Sequence, residues 1–185
     1  MTICLIGMMG SGKSSVGREL SGLLSLPFVD LDSYIESKTG RKIPEIFAEE
    51  GETAFRKMEC EALDEILDDG GKATQDGFAG NGIVLSLGGG TLTSGENAEK
   101  IARKTLCIYL KATADTLVRR LEGEAQGRPM LEGEDLRGRI VELLGKREPV
   151  YEKTARHCMS TDGLSVGEIA LAVAALATES TYFQQ

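Results

Sequence analysis

The segment that most constrains the fold lies near the amino terminus, where residues 7–14 read GMMGSGKS. This spacing fits G-x-x-x-x-G-K-[ST], in which glycines let the backbone curl so that successive N–H groups point at phosphate oxygens. The apolar run TICLI precedes the loop, and a helical pattern of apolar residues follows from Lys13. We therefore predict a strand, a phosphate-binding loop and a helix in that order, with a nucleotide on the loop.

Each part of this loop has a predicted contact with the nucleotide. The positive amino-terminal end of the following helix would face the phosphates. Lys13 would reach the β- and γ-phosphates, and the hydroxyl of Ser14 would ligate Mg²⁺. The predicted nucleotide-binding residues of the loop are Gly10, Ser11, Gly12, Lys13, Ser14 and Ser15.

The rest of the chain alternates short apolar runs with helical patterns, which is typical of an α/β sandwich. Further candidate strands occupy residues 28–32, 83–87, 105–110 and 157–161. With 185 residues, 41% of them apolar, the chain is long enough for one compact domain and too short for two ordinary ones. We therefore predict a single three-layer α/β/α domain over residues 1–185, with a central, mostly parallel five-stranded sheet.

Composition narrows the choice of partners. A formal net charge of −8 disfavours a nucleic-acid-binding surface, because such surfaces hold phosphates with Lys and Arg. The start MTICLIGMMG lacks the features of a secretory signal, and no apolar run approaches the roughly 18 residues that span a membrane. We expect a cytoplasmic protein with no membrane partner. Its four scattered cysteines predict reduced, buried thiols.

Two carboxylates lie at the end of the second candidate strand, the edge where ligands bind in open α/β sheets. Asp30 and Asp32 would point to the same side of an extended segment because they are two residues apart. Two unpaired carboxylates would repel a nearby triphosphate. They therefore require either Mg²⁺ between them and the phosphates or a substrate hydroxyl to bind. A helix cap is the alternative role for Asp32, since a helical pattern follows at once.

Two later motifs supply an ion pair and a close backbone approach. Arg56 and Glu59 share one face of a predicted helix, where a solvated pair is the alternative. Apolar neighbours place Arg56 near the boundary of burial. The glycines at 88–90 follow the third strand and are tolerable where a ligand must approach the main chain. That strand ends with Ser86 where GTPases and motors would carry Asp, which weakens those two interpretations.

In combination these motifs are similar to those of the shikimate kinase family. GMMGSGKS, DLD, GETAFRKME, LSLGGG, RPML and KREPVY occur in the family's order and spacing, and the resemblance extends from Ile3 to about Leu176. It implies a P-loop kinase fold that transfers the γ-phosphate of ATP to the 3-hydroxyl of shikimate, on the pathway to chorismate and the aromatic amino acids. ATP and Mg²⁺ are the implied cofactors, and a monomer is the implied state.

The resemblance also implies a substrate pocket. Helices over about residues 32–62 would carry much of it, and Glu59 would orient Arg56. Two arginine forks can bind the carboxylate of shikimate while an aspartate accepts from its hydroxyls. The implied substrate-binding residues are Asp32, Arg56, Gly88, Gly89, Gly90 and Arg147.

On the nucleotide side, the resemblance places Asp30 near Mg²⁺, Arg120 against the adenine and Arg128 at the phosphates. Because phosphoryl transfer passes through a loose, charge-rich transition state, Mg²⁺, Lys13 and Arg128 would act mainly by supplying positive charge. Asp32 is the candidate for the base that takes the hydroxyl proton, and Asp30 is the alternative.

Two segments depart from the regular scheme. Residues 122–135 are rich in Gly and Glu and carry Arg128 as their only cation, which predicts a lid that closes over the nucleotide and excludes water. A mobile surface loop is the alternative. The glycine-rich residues 68–82 predict a surface insertion.

Two other functions remain open on the sequence alone. A kinase of another small hydroxylated substrate, such as gluconate or a nucleoside monophosphate, would share the phosphate loop but leave FRKME and LSLGGGT unexplained. A nucleotide-gated binding protein without transfer activity would not need all the charged residues that the kinase interpretation assigns to catalysis and substrate binding. A Ser-His-Asp hydrolase fits poorly, because His157 is the only histidine.

Overall fold

The computed structural model describes residues 1–68, 82–122 and 135–182, in which short strands alternate with helices. The strands are β1 (Ile3–Ile6), β2 (Phe28–Asp30), β3 (Val84–Ser86), β4 (Leu106–Lys111) and β5 (His157–Ser160). The helices are α1 (Lys13–Leu24), α2 (Leu31–Thr39), α3 (Ile43–Asp68), α4 (Gly95–Lys104), α5 (Ala114–Leu121), α6 (Leu136–Thr154) and α7 (Val166–Tyr182). A short 3₁₀ turn over Thr91–Thr93 precedes α4.

The strands form one sheet in the order β2-β3-β1-β4-β5, and every neighbouring pair is parallel. In the register, Ile3 lies opposite Val84 on one side and Leu106 on the other, so β1 is the middle strand. All five predicted strands and the parallel sheet are confirmed.

Helices cover both faces of this sheet because alternate residues of each buried strand point to opposite faces. Ile3 and Leu5 pack on the face covered by α1 and α7. Cys4 and Ile6 pack on the other face, among buried residues from α2 to α6. The predicted three-layer architecture is therefore confirmed.

Helix α1 lies unusually close to the edge strand β2. A Cβ atom added to Gly17 would stand 2.3 Å from the ring of Phe28, a separation that real side chains do not adopt. Glycine at this position lets α1 pack closely against Phe28 at the start of β2.

Helices α2 and α3 occupy the region predicted to carry the substrate pocket. The predicted span of 32–62 corresponds to α2 and most of α3, and α3 contains a break at Gly51, where φ is 80° and ψ is 176°. Tyr34 donates 3.0 Å to Glu65, so α2 is held against the far part of α3. The break divides α3 into two helical parts that meet at a kink.

The cysteines are only partly as expected. All four are free, and Cys4 and Cys107 are buried, but Cys60 is half-buried and Cys158 is exposed, so the prediction of buried thiols is wrong for the last. Within the described residues, we find no helix with the length and apolar character needed to cross a membrane.

Candidate functional site

A pocket of about 900 Å³ opens at the carboxyl ends of the strands, the ligand-binding edge of a parallel sheet. Every predicted site residue that the structure describes lines it: Gly10, Ser11, Gly12, Lys13, Ser14, Ser15, Asp30, Asp32, Arg56, Gly88, Gly89, Gly90, Arg120 and Arg147. Arg128 and residues 123–134 of the predicted lid lie outside the described residues, as do residues 69–81 of the predicted insertion.

The phosphate loop curls between β1 and α1 through glycines in the left-handed region. Gly10 has φ 79° and Gly12 has φ 94°, conformations in which a side chain would be strained. Lys13 is 8% exposed, and its Nζ donates 2.9 Å bonds to the carbonyl oxygens of Gly7 and Met8. The ammonium group is therefore held within the curl of the loop.

The two residues predicted to bind metal are in contact. The hydroxyl of Ser14 donates 2.8 Å to Oδ2 of Asp30. Oδ1 of Asp30 accepts 3.2 Å from the backbone N–H of Ser33, which makes Asp30 the amino-terminal cap of α2. Adjacent hydroxyl and carboxylate oxygens are hard ligands of the kind that Mg²⁺ prefers.

Asp32 lies in the first turn of α2, because β2 ends at Asp30. The expectation that both aspartates lie on the strand is therefore wrong, and the helix cap considered for Asp32 is supplied by Asp30. Asp32 still faces the pocket: its Oδ1 is buried without a hydrogen-bond partner among the described residues. A Cβ atom on Gly88 would lie 2.8 Å from this oxygen, so glycine permits the close approach.

The environment of Asp32 disfavours its charged form. Burial raises the pKa of Asp32 to about 6, and the neighbouring carboxylates of Asp30 and Glu59 add to this effect. Lys13 and Arg56 act in the opposite direction but are outweighed. A carboxyl group with a pKa near neutrality inside a pocket is a candidate for proton transfer.

Arg56 is fixed by two carboxylates of α3. Its Nη1 donates 2.5 Å to Oε2 of Glu59, and its Nη2 donates 2.9 Å to Oε1 of Glu52. Glu59 has no exposed surface, so the alternative of a fully solvated ion pair is wrong for this residue. Burial acts to lower the pKa of Arg56. The two glutamates, chiefly Glu59, outweigh burial, so the pKa of Arg56 is raised.

The triple-glycine loop lies between two arginines. A Cβ atom on Gly90 would stand 2.4 Å from Nη2 of Arg56, and one on Gly89 would stand 3.4 Å from Nη1 of Arg147. Arg147 comes from α6, is 5% exposed, and has its Nη1 buried without a partner among the described residues. Nε of Arg56 is also buried without a hydrogen-bond partner among the described residues. These guanidinium groups retain hydrogen-bond donors for a ligand in the pocket.

On the other side of β1, Arg120 joins three segments. Its guanidinium donates 3.3 Å to the carbonyl oxygen of Gly10, and 3.0 and 2.9 Å to the hydroxyl and carbonyl oxygens of Thr161. Leu164, Ser165 and Val166 continue the pocket wall beyond it. Ser165 and Glu168 form a capping box at the start of α7, with bonds of 2.8 and 3.3 Å.

Three residues beside this pocket make supporting contacts that no sequence pattern specified. Thr161 supports Arg120, Thr91 donates 2.5 Å to Glu59, and the hydroxyl of Tyr151 donates to the carbonyl oxygen of Gly89. Thr91 adjoins the glycine motif and Tyr151 closes KREPVY, so both lie within quoted motifs. Their contacts come from the tertiary fold.

Comparison with known proteins gives a consistent result. The family model described as shikimate kinase matches residues 9–177. The shikimate kinase of Thermus thermophilus is 42% identical over 167 residues, which cover 90% of this chain and 84% of that protein. The structure of shikimate kinase from Acinetobacter baumannii in complex with shikimate superposes with a TM-score of 0.86 at 32% identity, covering 97% of this chain and 93% of the other.

A gluconokinase from Sinorhizobium meliloti also shares the fold. It superposes with a TM-score of 0.54 at 18% identity, covering all of this chain and 97% of the other, which is evidence for the fold alone. By contrast, the match to the shikimate kinase model spans most of the chain, from the phosphate loop into α7. The chain therefore belongs to the shikimate kinase family, the kinases that phosphorylate shikimate with ATP.

Proposed function

We propose that the pocket holds shikimate between the triple-glycine loop and the arginines Arg56 and Arg147, with ATP and Mg²⁺ on the phosphate loop. The observation that carries this proposal is the set of buried polar atoms without partners among the described residues, which includes Oδ1 of Asp32, Nε of Arg56 and Nη1 of Arg147. Buried polar atoms are normally hydrogen-bonded, so such a set at one pocket is expected to meet a ligand.

The chemistry of these atoms fits shikimate. Arg56 and Arg147 offer donors to a carboxylate, and a planar guanidinium can bind it with two parallel bonds. Asp32 offers an acceptor to a hydroxyl. The glycines at 88–90 leave room beside the backbone for these three side chains to converge on the pocket.

On the donor side, Lys13 exchanges its bonds to loop carbonyls for bonds to the β- and γ-phosphates of ATP. Ser14 and Asp30 supply oxygen ligands for Mg²⁺, which neutralises phosphate charge when bound. Arg120 faces the base, beside the wall formed by residues 164–166. The backbone from Gly10 to Ser15 surrounds the phosphates.

Asp32 is the proposed base. Oδ1 of Asp32 has no hydrogen-bond partner among the described residues, whereas both oxygens of Asp30 accept hydrogen bonds from Ser14 and Ser33. A pKa of about 6 for Asp32 suits a group that takes the hydroxyl proton late in transfer. Arg128 is proposed to add positive charge from the segment 122–135.

We propose that one chain acts alone in the cytoplasm. Every role proposed above in binding shikimate, ATP or Mg²⁺ is assigned to a residue of this chain, so the proposal requires no residue from a second copy. Four free cysteines suit a reducing compartment.

The decisive experiment is mass spectrometry of the product made from ATP, Mg²⁺ and shikimate, with gluconate and nucleoside monophosphates in parallel reactions. We expect shikimate to gain one phosphate at the 3-hydroxyl, which NMR of the product locates. Preferential phosphorylation of gluconate would support the other small-substrate kinase. Binding of ATP with no phosphorylated product would support the nucleotide-gated binding protein.

A further inference from the structure

The three carbonyl groups of the triple-glycine loop each have a hydrogen-bond donor. The carbonyl oxygen of Gly88 accepts 3.2 Å from the N–H of Thr91. That of Gly90 accepts from the N–H and hydroxyl of Thr93, at 3.0 and 2.7 Å. The carbonyl of Gly89 differs, because its donor is the hydroxyl of Tyr151, a residue of α6 rather than of the loop itself.

Tyr151 is held firmly in this position. It is 1% exposed, and its ring packs against that of Tyr109 with 5.2 Å between centroids. Its hydroxyl also lies 3.9 Å from the sulfur of Met8 in the phosphate loop. It follows Arg147 by one helical turn, so both residues face the glycine loop from α6.

The hydroxyl of Tyr151 is a permanent donor. Burial raises its pKa to about 12, so it stays protonated at physiological pH. The carbonyl and the N–H of a trans peptide point in opposite directions. A bond from Tyr151 to the carbonyl of Gly89 therefore turns the N–H of Gly90 away from the Tyr151 hydroxyl. Gly89 and Gly90 both line the pocket.

We propose that Tyr151 is a positioning residue for shikimate: by holding the carbonyl of Gly89, it fixes the peptide between Gly89 and Gly90 with its N–H toward the substrate. Consecutive glycines restrain their own backbone weakly, so this peptide needs an external contact to keep one orientation. The inference rests on the proposed placement of shikimate beside the loop.

The chain provides a matched control. Tyr109 is also 1% exposed and packs in the same aromatic pair, but its hydroxyl has no hydrogen-bond partner among the described residues. Tyr151→Phe and Tyr109→Phe thus remove the same atom from adjacent rings. Only the first removes a bond to the glycine loop.

We expect Tyr151→Phe to raise the KM for shikimate about tenfold, because the substitution removes one hydrogen bond and leaves one carbonyl without a partner. The KM for ATP and kcat should change less than about twofold. Tyr109→Phe should change none of the three by more than about twofold. Equal effects of the two substitutions, or equal increases in both KM values for Tyr151→Phe, would overturn the inference.

A second measurement needs no variant. In the [¹⁵N]glycine-labelled wild-type protein, shikimate added without nucleotide should shift the amide signal of Gly90 more than that of Gly95, which begins α4 outside the pocket. An unmoved Gly90 signal in a sample that binds shikimate by calorimetry would also overturn the inference. A wild-type protein that neither binds nor phosphorylates shikimate would instead refute the proposed function.

Discussion

The hydroxyl of Thr91 donates a 2.5 Å hydrogen bond to Oε1 of Glu59, a carboxylate with no exposed surface. The other oxygen of Glu59 accepts from Arg56. Asn97, also buried, donates 3.2 Å to the carbonyl oxygen of Thr91 and so joins α4 to the same network. A buried charge is tolerable only when its hydrogen bonds are made, which ties the position of Arg56 to the turn after the glycine loop.

Replacing Thr91 with valine keeps the side-chain shape and removes this bond. We expect Thr91→Val to lower the free energy of unfolding by about 1–3 kcal/mol and to weaken shikimate binding, because Glu59 loses a partner and Arg56 its fixed position. Urea unfolding and calorimetry measure the two effects. Thr178→Val, which removes an exposed hydroxyl bonded within α7, is the control and should be nearly neutral. Unchanged shikimate affinity in Thr91→Val would refute the coupling.

The raised pKa of Asp32 predicts a pH-dependent stability. Below the unfolded pKa of about 4, Asp32 is protonated in both states and contributes nothing. Between pH 4 and the folded pKa of about 6, Asp32 ionises in the unfolded state but not in the folded state. The free energy of unfolding therefore falls by up to about 3 kcal/mol over this range. Above pH 6 the loss stays constant.

Asp32→Asn removes this ionisation. Its stability relative to wild type should therefore rise between pH 4 and pH 6 and then level off, as measured by urea unfolding across that range. The variant should also transfer phosphate much more slowly. A stability difference that is the same at pH 4 and pH 7 would contradict the raised pKa.

Lys13→Met tests the phosphate loop. We expect turnover to fall by at least about a thousandfold, because positive charge is lost beside the transferring phosphate. Circular dichroism should show an intact fold, although the two bonds to loop carbonyls are lost. Lys57→Met, at an exposed lysine on α3, should retain wild-type turnover. Near-normal activity of Lys13→Met would remove the loop from the mechanism.

Arg56→Lys and Arg147→Lys keep the charge and lose the planar fork. Each should weaken shikimate binding about tenfold or more while ATP binding changes little, as measured by calorimetry with each ligand. Arg41→Lys, in a surface ion pair with Glu49 and Glu50, is the matched control. Equal losses for both ligands would indicate misfolding rather than a lost carboxylate contact.

Arg128→Ala tests the predicted lid, of which residues 123–134 lie outside the described residues. We expect kcat to fall by roughly 10³ to 10⁵, as for arginines that stabilise phosphoryl transfer, with little change in shikimate affinity when nucleotide is absent. Hydrogen exchange should show residues 122–135 protected only with both ligands. Arg137→Ala, in an exposed pair with Asp115, is the control. Wild-type kcat in Arg128→Ala would rule out the lid mechanism.

Sequence patterns predicted the sheet because its strands are short apolar runs whose neighbours are helical. They failed at Asp32, where a local effect decides the boundary. Asp30 accepts from the N–H of Ser33 and starts α2 two residues earlier than the apolar pattern FVDLD indicates. The preference of aspartate for helix caps was the available signal, but it was assigned to the wrong aspartate.

Contacts between distant residues were beyond prediction from one sequence. The bond from Tyr151 to Gly89 joins positions 62 residues apart, and that from Thr91 to Glu59 joins positions 32 apart. Periodicity reports which face of an element is buried, and it carries no information on which buried side chains meet. The order β2-β3-β1-β4-β5 creates these meetings by bringing α3, α6 and the glycine loop to one side.

The central position of β1 has an evolutionary consequence. The strands β3 and β2 on one side lead to the glycine loop and Asp32, while β4 and β5 on the other lead to Arg120 and Thr161. Apart from Arg147, which reaches across from α6, the proposed acceptor contacts follow β2 and β3. The proposed nucleotide contacts follow β1 and β4, except Asp30, which ends β2 beside the acceptor contact Asp32. Mutations after β2 and β3 that spare Asp30 can therefore change which alcohol is phosphorylated while the nucleotide contacts are inherited intact.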